Sequence, residues 1–357
     1  MNKKPGNIRL HITDRCNHQC VMCDRWGWSQ EDQAHSLLEL DTNEYIRLFK
    51  EFVSFGIKKI TFTGGEPTLR NDFLGLTEQA LGQGLAVAIV SNGETLAAMS
   101  EKLAAIAGVR GPNFIVAISL LGLDEMHDKH CGSNGSFVRA TSALRSLVAH
   151  NINAEVFFTV LPGNVHQLEE ACDIIRKLGI SRIRFGLLHG YGELAFGDRE
   201  MSILQEQFAL LKKIQAKKDP QFRPSYQWYI TKMVAEGTML AKDFQDHLLA
   251  RLLLESPQDC PCVNGVLFMN PYGDIYPCHY AEFSNQDYTK YQDQRREYAM
   301  GNVRQQTLQQ IWDGPAYTTF RRRVLPIQPN DLGMKSVCSQ CVYLCQNSQT
   351  KQPKKKT

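Results

Sequence analysis

Three cysteines fall within eight residues, Cys16-Asn-His-Gln-Cys20-Val-Met-Cys23, and six more lie beyond residue 259: Cys260, Cys262, Cys278, Cys338, Cys341 and Cys345. Three thiolates on one short loop suit a cubane iron–sulfur cluster whose fourth iron has no protein ligand and stays open to a small molecule. Zinc is the other occupant that the spacing admits, but it needs a fourth ligand, for which His11 and His18 are the nearby candidates. In the later group Cys262 and Cys278 form one pair and Cys338-Ser-Gln-Cys341 another, with Gly273 in a turn between Cys262 and Cys278. Two such pairs can converge on one tetrahedral site, and spacing does not choose between zinc and an iron–sulfur cluster. Eleven cysteines in a chain without secretory signals favour metal ligation over disulfides. Only Cys131 and Cys172 stand apart from the two groups.

The elements that must carry these residues alternate. Short β-type runs at Ile8–Thr13, Lys59–Thr63, Ala86–Val90, Phe114–Leu120, Glu155–Leu161 and Arg182–Leu188 are separated by segments with apolar residues at helical spacing. The first such segment opens on a capping box, Asp41-Thr-Asn-Glu44, and puts Tyr45, Leu48, Phe49, Phe52 and Val53 on one face. Six strand–helix alternations imply an α/β fold of parallel strands with right-handed crossovers, and six are too few for the usual eight-stranded closure. The expectation is a partial (β/α)6 barrel. Ligands of such folds bind at the C-terminal strand ends, where this chain carries the cysteine loop, Gly64-Gly65-Glu66-Pro67, Ser91-Asn92-Gly93 and Ser119.

Beyond the barrel (1–198) the pattern changes to long helical segments, roughly 199–216 and 228–254, separated by a loop at Lys218–Pro224; this reads as a helical bridge over 199–258. A small cluster-binding unit follows over 259–346, with a hairpin of Val266–Met269 and Asp274–Pro277 around Asn270-Pro-Tyr-Gly273 and a short helix at Leu308–Trp312. The tail, 347–357, is polar and lysine-rich and is expected to be disordered. The chain has 357 residues, 43% hydrophobic and 22% charged, with Lys plus Arg exceeding Asp plus Glu by only three (40 minus 37). That balance gives no basic face for nucleic acid, and no run approaches a membrane span or a signal-peptide core, so a cytoplasmic protein is expected.

The C-x3-C-x2-C loop, the GGEP after strand two, the Ser-Asn-Gly after strand three and SLLGLDEMHDKHCGSNGSF at strand four together resemble the radical S-adenosylmethionine superfamily, over roughly residues 7–190. The resemblance implies that Cys16, Cys20 and Cys23 hold three irons of a [4Fe–4S] cluster and that S-adenosylmethionine chelates the fourth. It further implies that Gly64, Gly65 and Glu66 contact the methionine amino group, and that Asn92 and Ser119 contact the ribose or methionine carboxylate. Met22 stands where the family often has an aromatic residue near adenine. A reduced cluster would cleave the cofactor to a 5′-deoxyadenosyl radical that abstracts hydrogen from substrate, with flavodoxin or ferredoxin as electron donor. The late cysteines, with Gly301-Asn-Val303 and the Leu308–Trp312 helix between the pairs, look like a SPASM or Twitch extension. Its implied content is one auxiliary [4Fe–4S] cluster on Cys262, Cys278, Cys338 and Cys341, with Cys260 and Cys345 as alternates or as ligands of an incomplete second cluster.

Other residues invite a plainer interpretation. Cys131, after strand four, could return a hydrogen atom to a substrate radical but is more often a packed residue, and Cys172 fits a helix core. His189, Tyr191 and Glu193 could meet substrate or simply solvent, and Trp26 and Trp28 could pack over the cluster. The function expected is hydrogen abstraction from an unactivated carbon of a small molecule, leading to oxidation or epimerisation. Maturation of a ribosomal peptide is the alternative, made less expected because the first strand starts within about ten residues of Met1, leaving no room for an N-terminal peptide-binding domain. A non-catalytic iron–sulfur or zinc protein would have no use for the polar residues at three further strand ends.

Overall fold

The computed structural model describes residues 4–23, 38–108, 113–187, 197–216, 222–226, 266–277 and 299–324. Its centre is a ten-stranded open sheet in the order β10-β9-β8-β1-β2-β3-β4-β5-β6-β7. Six strands, β1 (Asn7–His11), β2 (Lys59–Thr63), β3 (Ala86–Ser91), β4 (Phe114–Leu120), β5 (Ala154–Val160) and β6 (Arg182–Leu187), follow one another in parallel and match the expected runs to within one or two residues. The helices between them are α1 (Thr42–Phe55), α2 (Phe73–Gly82), α3 (Leu96–Ala107), α4 (Asp124–Cys131), α5 (Ser136–Ala149) and α6 (Leu168–Lys177). The result is the expected α/β partial barrel, with the sheet left unclosed.

Local chemistry explains the first crossover. The Asp41 side chain accepts from the Glu44 amide and the Glu44 side chain accepts from the Asp41 amide, both at 2.8 Å, so the capping box forms as the sequence implies. Tyr45, Leu48, Phe49 and Phe52 are buried under the sheet, and each large apolar side chain removed from water contributes about 1.5–3 kcal/mol. Val53 does not join them: it is 43% exposed, and Phe55 takes the last buried position. The helix stops at Gly56, whose φ of 110° suits a left-handed cap that a side chain would disfavour.

Two features of the sheet differ from expectation. Within the region assigned as a helical bridge, α7 (Asp198–Ala216) forms, but Arg223–Tyr226 is strand β7, parallel to β6, rather than the end of a loop. The segment 228–254 lies outside the described residues. The hairpin of β8 (Val266–Met269) and β9 (Asp274–Tyr276) forms around Asn270–Gly273 as expected, yet it is not a separate layer: β8 pairs in parallel with β1, Asn7 opposite Val266 through Leu10 opposite Met269. Without it β1 would present an unpaired edge beside the cysteine loop. Strand β10 (Gly301–Asn302), α8 (Leu308–Asp313) and α9 (Pro315–Val324) complete the unit, with Trp312 against Phe55 of α1.

Candidate cofactor site at the strand ends

The cysteine loop leaves β1 and is held by the turn after β2. Gly65 and Glu66 donate their amides to the Thr13 and Arg15 carbonyls at 2.8 and 2.7 Å. The contact is so close that a Cβ on Gly64 would overlap the Thr13 carbonyl oxygen, and one on Gly65 would sit 2.6 Å from the Arg15 carbonyl carbon. Gly64 also has a φ of 145°. The paired glycines are therefore required by backbone approach, whatever the ligand.

Glu66 is 1% exposed, and its carboxylate is fully used inside the protein. One oxygen accepts from the Thr68 amide (3.1 Å), the Thr68 hydroxyl (2.6 Å) and the Ser91 hydroxyl (2.8 Å), and the other from the Asn92 amide (2.8 Å). Burial raises this carboxyl above its ordinary range, and the Thr68, Asn92 and Ser91 bonds pull it back. The side chain thus ties the turn after β2 to the turn after β3. Asn92 reaches the cysteine loop through Asn17 at 2.7 Å, and Ser119 lies half-buried at the end of β4.

Cys16, Cys20 and Cys23 are half-exposed thiols outside any disulfide, on one side of that cradle, with the Cys23 amide turning back onto the Cys20 carbonyl at 2.9 Å. Burial pushes Cys16 up to about 12, with Glu66, Cys20 and Cys23 adding to the effect. Cys20 is raised as well, through its contact with Cys131 and through burial. Crowded thiols that resist ionisation alone are relieved when cations replace their protons, so three sulfurs without disulfides fit an iron–sulfur cluster. Met22 packs with Cys20 on the small apolar group of Leu121, Cys131 and Leu161.

Around the loop lie the other residues singled out in the sequence. His18, a possible zinc ligand there, is 3% exposed and bonds through Nε2 to Glu94 at 2.7 Å; Glu94 in turn pairs with Arg139. His11, the other, packs edge-on against Phe268 at 4.3 Å between ring centroids. Cys131 is buried beside His127, whose Nε2 is 3.4 Å from its sulfur. Cys131 is thus packed behind the cysteine loop, the plainer of the two readings of it, and Cys172 is core as expected. The only hint of this in the sequence is the run of polar residues in His127-Asp-Lys-His130-Cys131, whose helical spacing brings His127 onto Cys131. From the other side, Tyr272 of the hairpin turn donates to Asp14 at 2.8 Å, two residues before Cys16. Trp26, Trp28, His189, Tyr191, Glu193 and the six late cysteines, Cys260, Cys262, Cys278, Cys338, Cys341 and Cys345, lie outside the described residues. No described helix is long and apolar enough to cross a membrane.

Comparison with known proteins agrees with this geometry. Residues 10–178 match the model of the Radical SAM superfamily, and residues 260–342 match SPASM, an iron–sulfur cluster-binding domain. Fe-coproporphyrin III synthase of Methanosarcina barkeri is 29% identical over 87% of this chain and 74% of its own length. GTP 3′,8-cyclase of Synechococcus elongatus is 34% identical over half of this chain, which spans about half (53%) of that relative. The crystal structure of Streptococcus suis SuiB bound to S-adenosylmethionine superposes with a TM-score of 0.67 at 14% identity, over 96% of this chain and 71% of SuiB.

Proposed function

The chain belongs to the radical S-adenosylmethionine superfamily and carries a C-terminal SPASM domain, and from that premise we propose that it abstracts hydrogen from an unactivated C–H bond of a small molecule, which it oxidises or epimerises. The cofactors of such an enzyme are a [4Fe–4S] cluster, S-adenosylmethionine and auxiliary iron–sulfur clusters. When bound and reduced, the first two supply a 5′-deoxyadenosyl radical.

The observation that carries the assignment is the convergence of four strand ends on one cysteine loop. Cys16, Cys20 and Cys23 are assigned the cluster, and the carbonyls of the Gly64–Gly65 turn the methionine ammonium. Asn92 and Ser119 are assigned the ribose or carboxylate, and Met22 the adenine edge. Glu66 acts by fixing the first turn against the second, a role that follows from its four internal donors. Cys262, Cys278, Cys338 and Cys341 are assigned one auxiliary cluster, with Cys260 and Cys345 as alternates. Flavodoxin or ferredoxin is the proposed reductant. Cys131 is not assigned a hydrogen-donating role, since its thiol is packed between His127 and the cysteine loop.

A small substrate is favoured because the two sequence relatives described above are named for making a porphyrin and cyclising a nucleotide, and the alignment to the first reaches into the SPASM region. SuiB has also been solved with a precursor peptide, but a likeness at 13% identity speaks for fold alone. Isotope transfer distinguishes the two substrates. Extract from cells of the source organism grown in heavy water is divided by ultrafiltration into metabolites and polypeptides, and each fraction is incubated with enzyme, S-adenosylmethionine and reductant. Deuterium in 5′-deoxyadenosine from the metabolite fraction is expected; transfer from the polypeptide fraction alone would overturn the small-molecule assignment.

A further inference from the structure

Behind the cysteine loop, one of its three cysteines meets two further potential ligands that the cluster does not use. A ring nitrogen of His18, the Cys20 sulfur and the Cys131 sulfur all lie within 4.8 Å of one another. The set is preorganised by backbone: the Gln19 and Val21 amides donate to the Cys131 and His130 carbonyls at 2.9 Å each, so the loop is zipped to the end of α4. Gly132 makes room for that contact, since a Cβ there would stand 2.9 Å from the Gln19 carbonyl oxygen.

The histidine is prepared for ligation. His18 Nε2 is committed to Glu94 at 2.7 Å, and Glu94 is anchored in turn by Arg139, whose Nη2 lies 2.8 Å from it. That leaves Nδ1 buried and without a hydrogen-bond partner. An imidazole fixed by a carboxylate on one nitrogen, with the other nitrogen bare, is the usual disposition of a metal-bound histidine. His127 is not a further ligand. Its Nδ1 accepts from the Leu121 amide at 3.0 Å, so its proton sits on Nε2, where it can be donated towards the Cys131 sulfur at 3.4 Å.

We propose that His18, Cys20 and Cys131 form a site for one thiophilic divalent cation, of the zinc type, in the chain that has not yet received its iron–sulfur cluster. Two thiols and an imidazole match the ligand preference of zinc and, for spectroscopy, of cobalt; water completes the tetrahedron. Binding exchanges the two thiol protons for the metal, with no change of oxidation state. Cys20 cannot serve this ion and the loop cluster together, so the two are mutually exclusive, and the ion blocks cluster assembly until it is removed.

The test uses the full-length, metal-free chain carrying Cys16→Ala and Cys23→Ala, so that the loop cluster cannot form. Cobalt(II) is the probe, titrated anaerobically and followed by its thiolate charge-transfer and ligand-field bands. The late cysteines offer further thiolates to cobalt, so the readout is a difference. Adding Cys131→Ala, or separately His18→Gln, should remove one equivalent of tetrahedral cobalt, which zinc displaces from the parent. Circular dichroism establishes that each variant is folded. If either folded variant keeps the full cobalt stoichiometry and spectrum, the site does not exist as proposed. In the otherwise native chain, preloading with zinc should slow iron incorporation into the loop, and Cys131→Ala should relieve the delay; equal delay in both would also overturn it.

Discussion

Replacing Glu66 by glutamine separates a structural clamp from a direct ligand of the cofactor. The native carboxylate takes three bonds on one oxygen and one, from the Asn92 amide at 2.8 Å, on the other. The best orientation of glutamine keeps its carbonyl oxygen at the three-bond position. Its amide nitrogen then faces the Asn92 N–H, donor against donor. One charge-assisted bond is lost, worth about 1.5–3 kcal/mol, and the remaining three weaken as the charge disappears. A local loss of about 2 kcal/mol raises the open population of the Asn92 amide roughly 30-fold, and its hydrogen exchange accelerates in proportion. Exchange at Asn92 is measured by mass spectrometry or NMR on the folded chain, with β5, far from the substitution in the sheet order, as internal reference. Unchanged exchange at Asn92 together with lost S-adenosylmethionine binding would refute the clamp and return Glu66 to the role of ammonium partner.

Other consequences are as direct. Gly65→Ala places a Cβ against Arg15 backbone that cannot yield, so the cysteine loop should shift, with a cost of about 3 kcal/mol or more in thermal unfolding and a fall in iron retained by the loop. Tyr272→Phe deletes the 2.8 Å bond to Asp14 and should lower stability by about 1.5–3 kcal/mol, read by urea unfolding, while leaving the hairpin register intact. His127 is held near pKa 4 by burial, below its ordinary 6.5, with the neighbouring His18 acting in the same direction. The folded state therefore binds this proton less readily than the unfolded chain. The stability it contributes is complete above pH 6.5 and is lost as pH falls towards 4, about 3 kcal/mol in all. A His127→Gln variant should show a flatter stability profile between those values in pH-resolved thermal melts.

The strands and the first helix were legible because apolar residues recur at periods of two and 3.6 and because Asp41 and Glu44 announce the cap. Val53 was misplaced on the inner face because its position relative to Phe55 is decided by how α1 lies on the sheet, which a helical wheel does not contain. Strand β7 was missed for a similar reason: Arg223-Pro-Ser-Tyr226 has no alternating apolar pattern, and its pairing is dictated by the open edge of β6. The site was legible as a set of strand ends. The internal use of Glu66 was not, since a carboxylate in GGEP reads the same whether it faces a ligand or four donors. Nor could spacing place Cys131, more than a hundred residues from Cys20, behind the same loop.

The central claim is that the three-cysteine loop serves radical cleavage of S-adenosylmethionine, and formation of 5′-deoxyadenosine tests it most directly. The chain is reconstituted anaerobically with iron and sulfide, given S-adenosylmethionine and dithionite, and compared with a Cys16→Ala, Cys20→Ala, Cys23→Ala variant whose auxiliary iron content is verified. The account requires 5′-deoxyadenosine from the native chain and none from the variant. A fully loaded native chain that neither binds S-adenosylmethionine nor forms the product would contradict it.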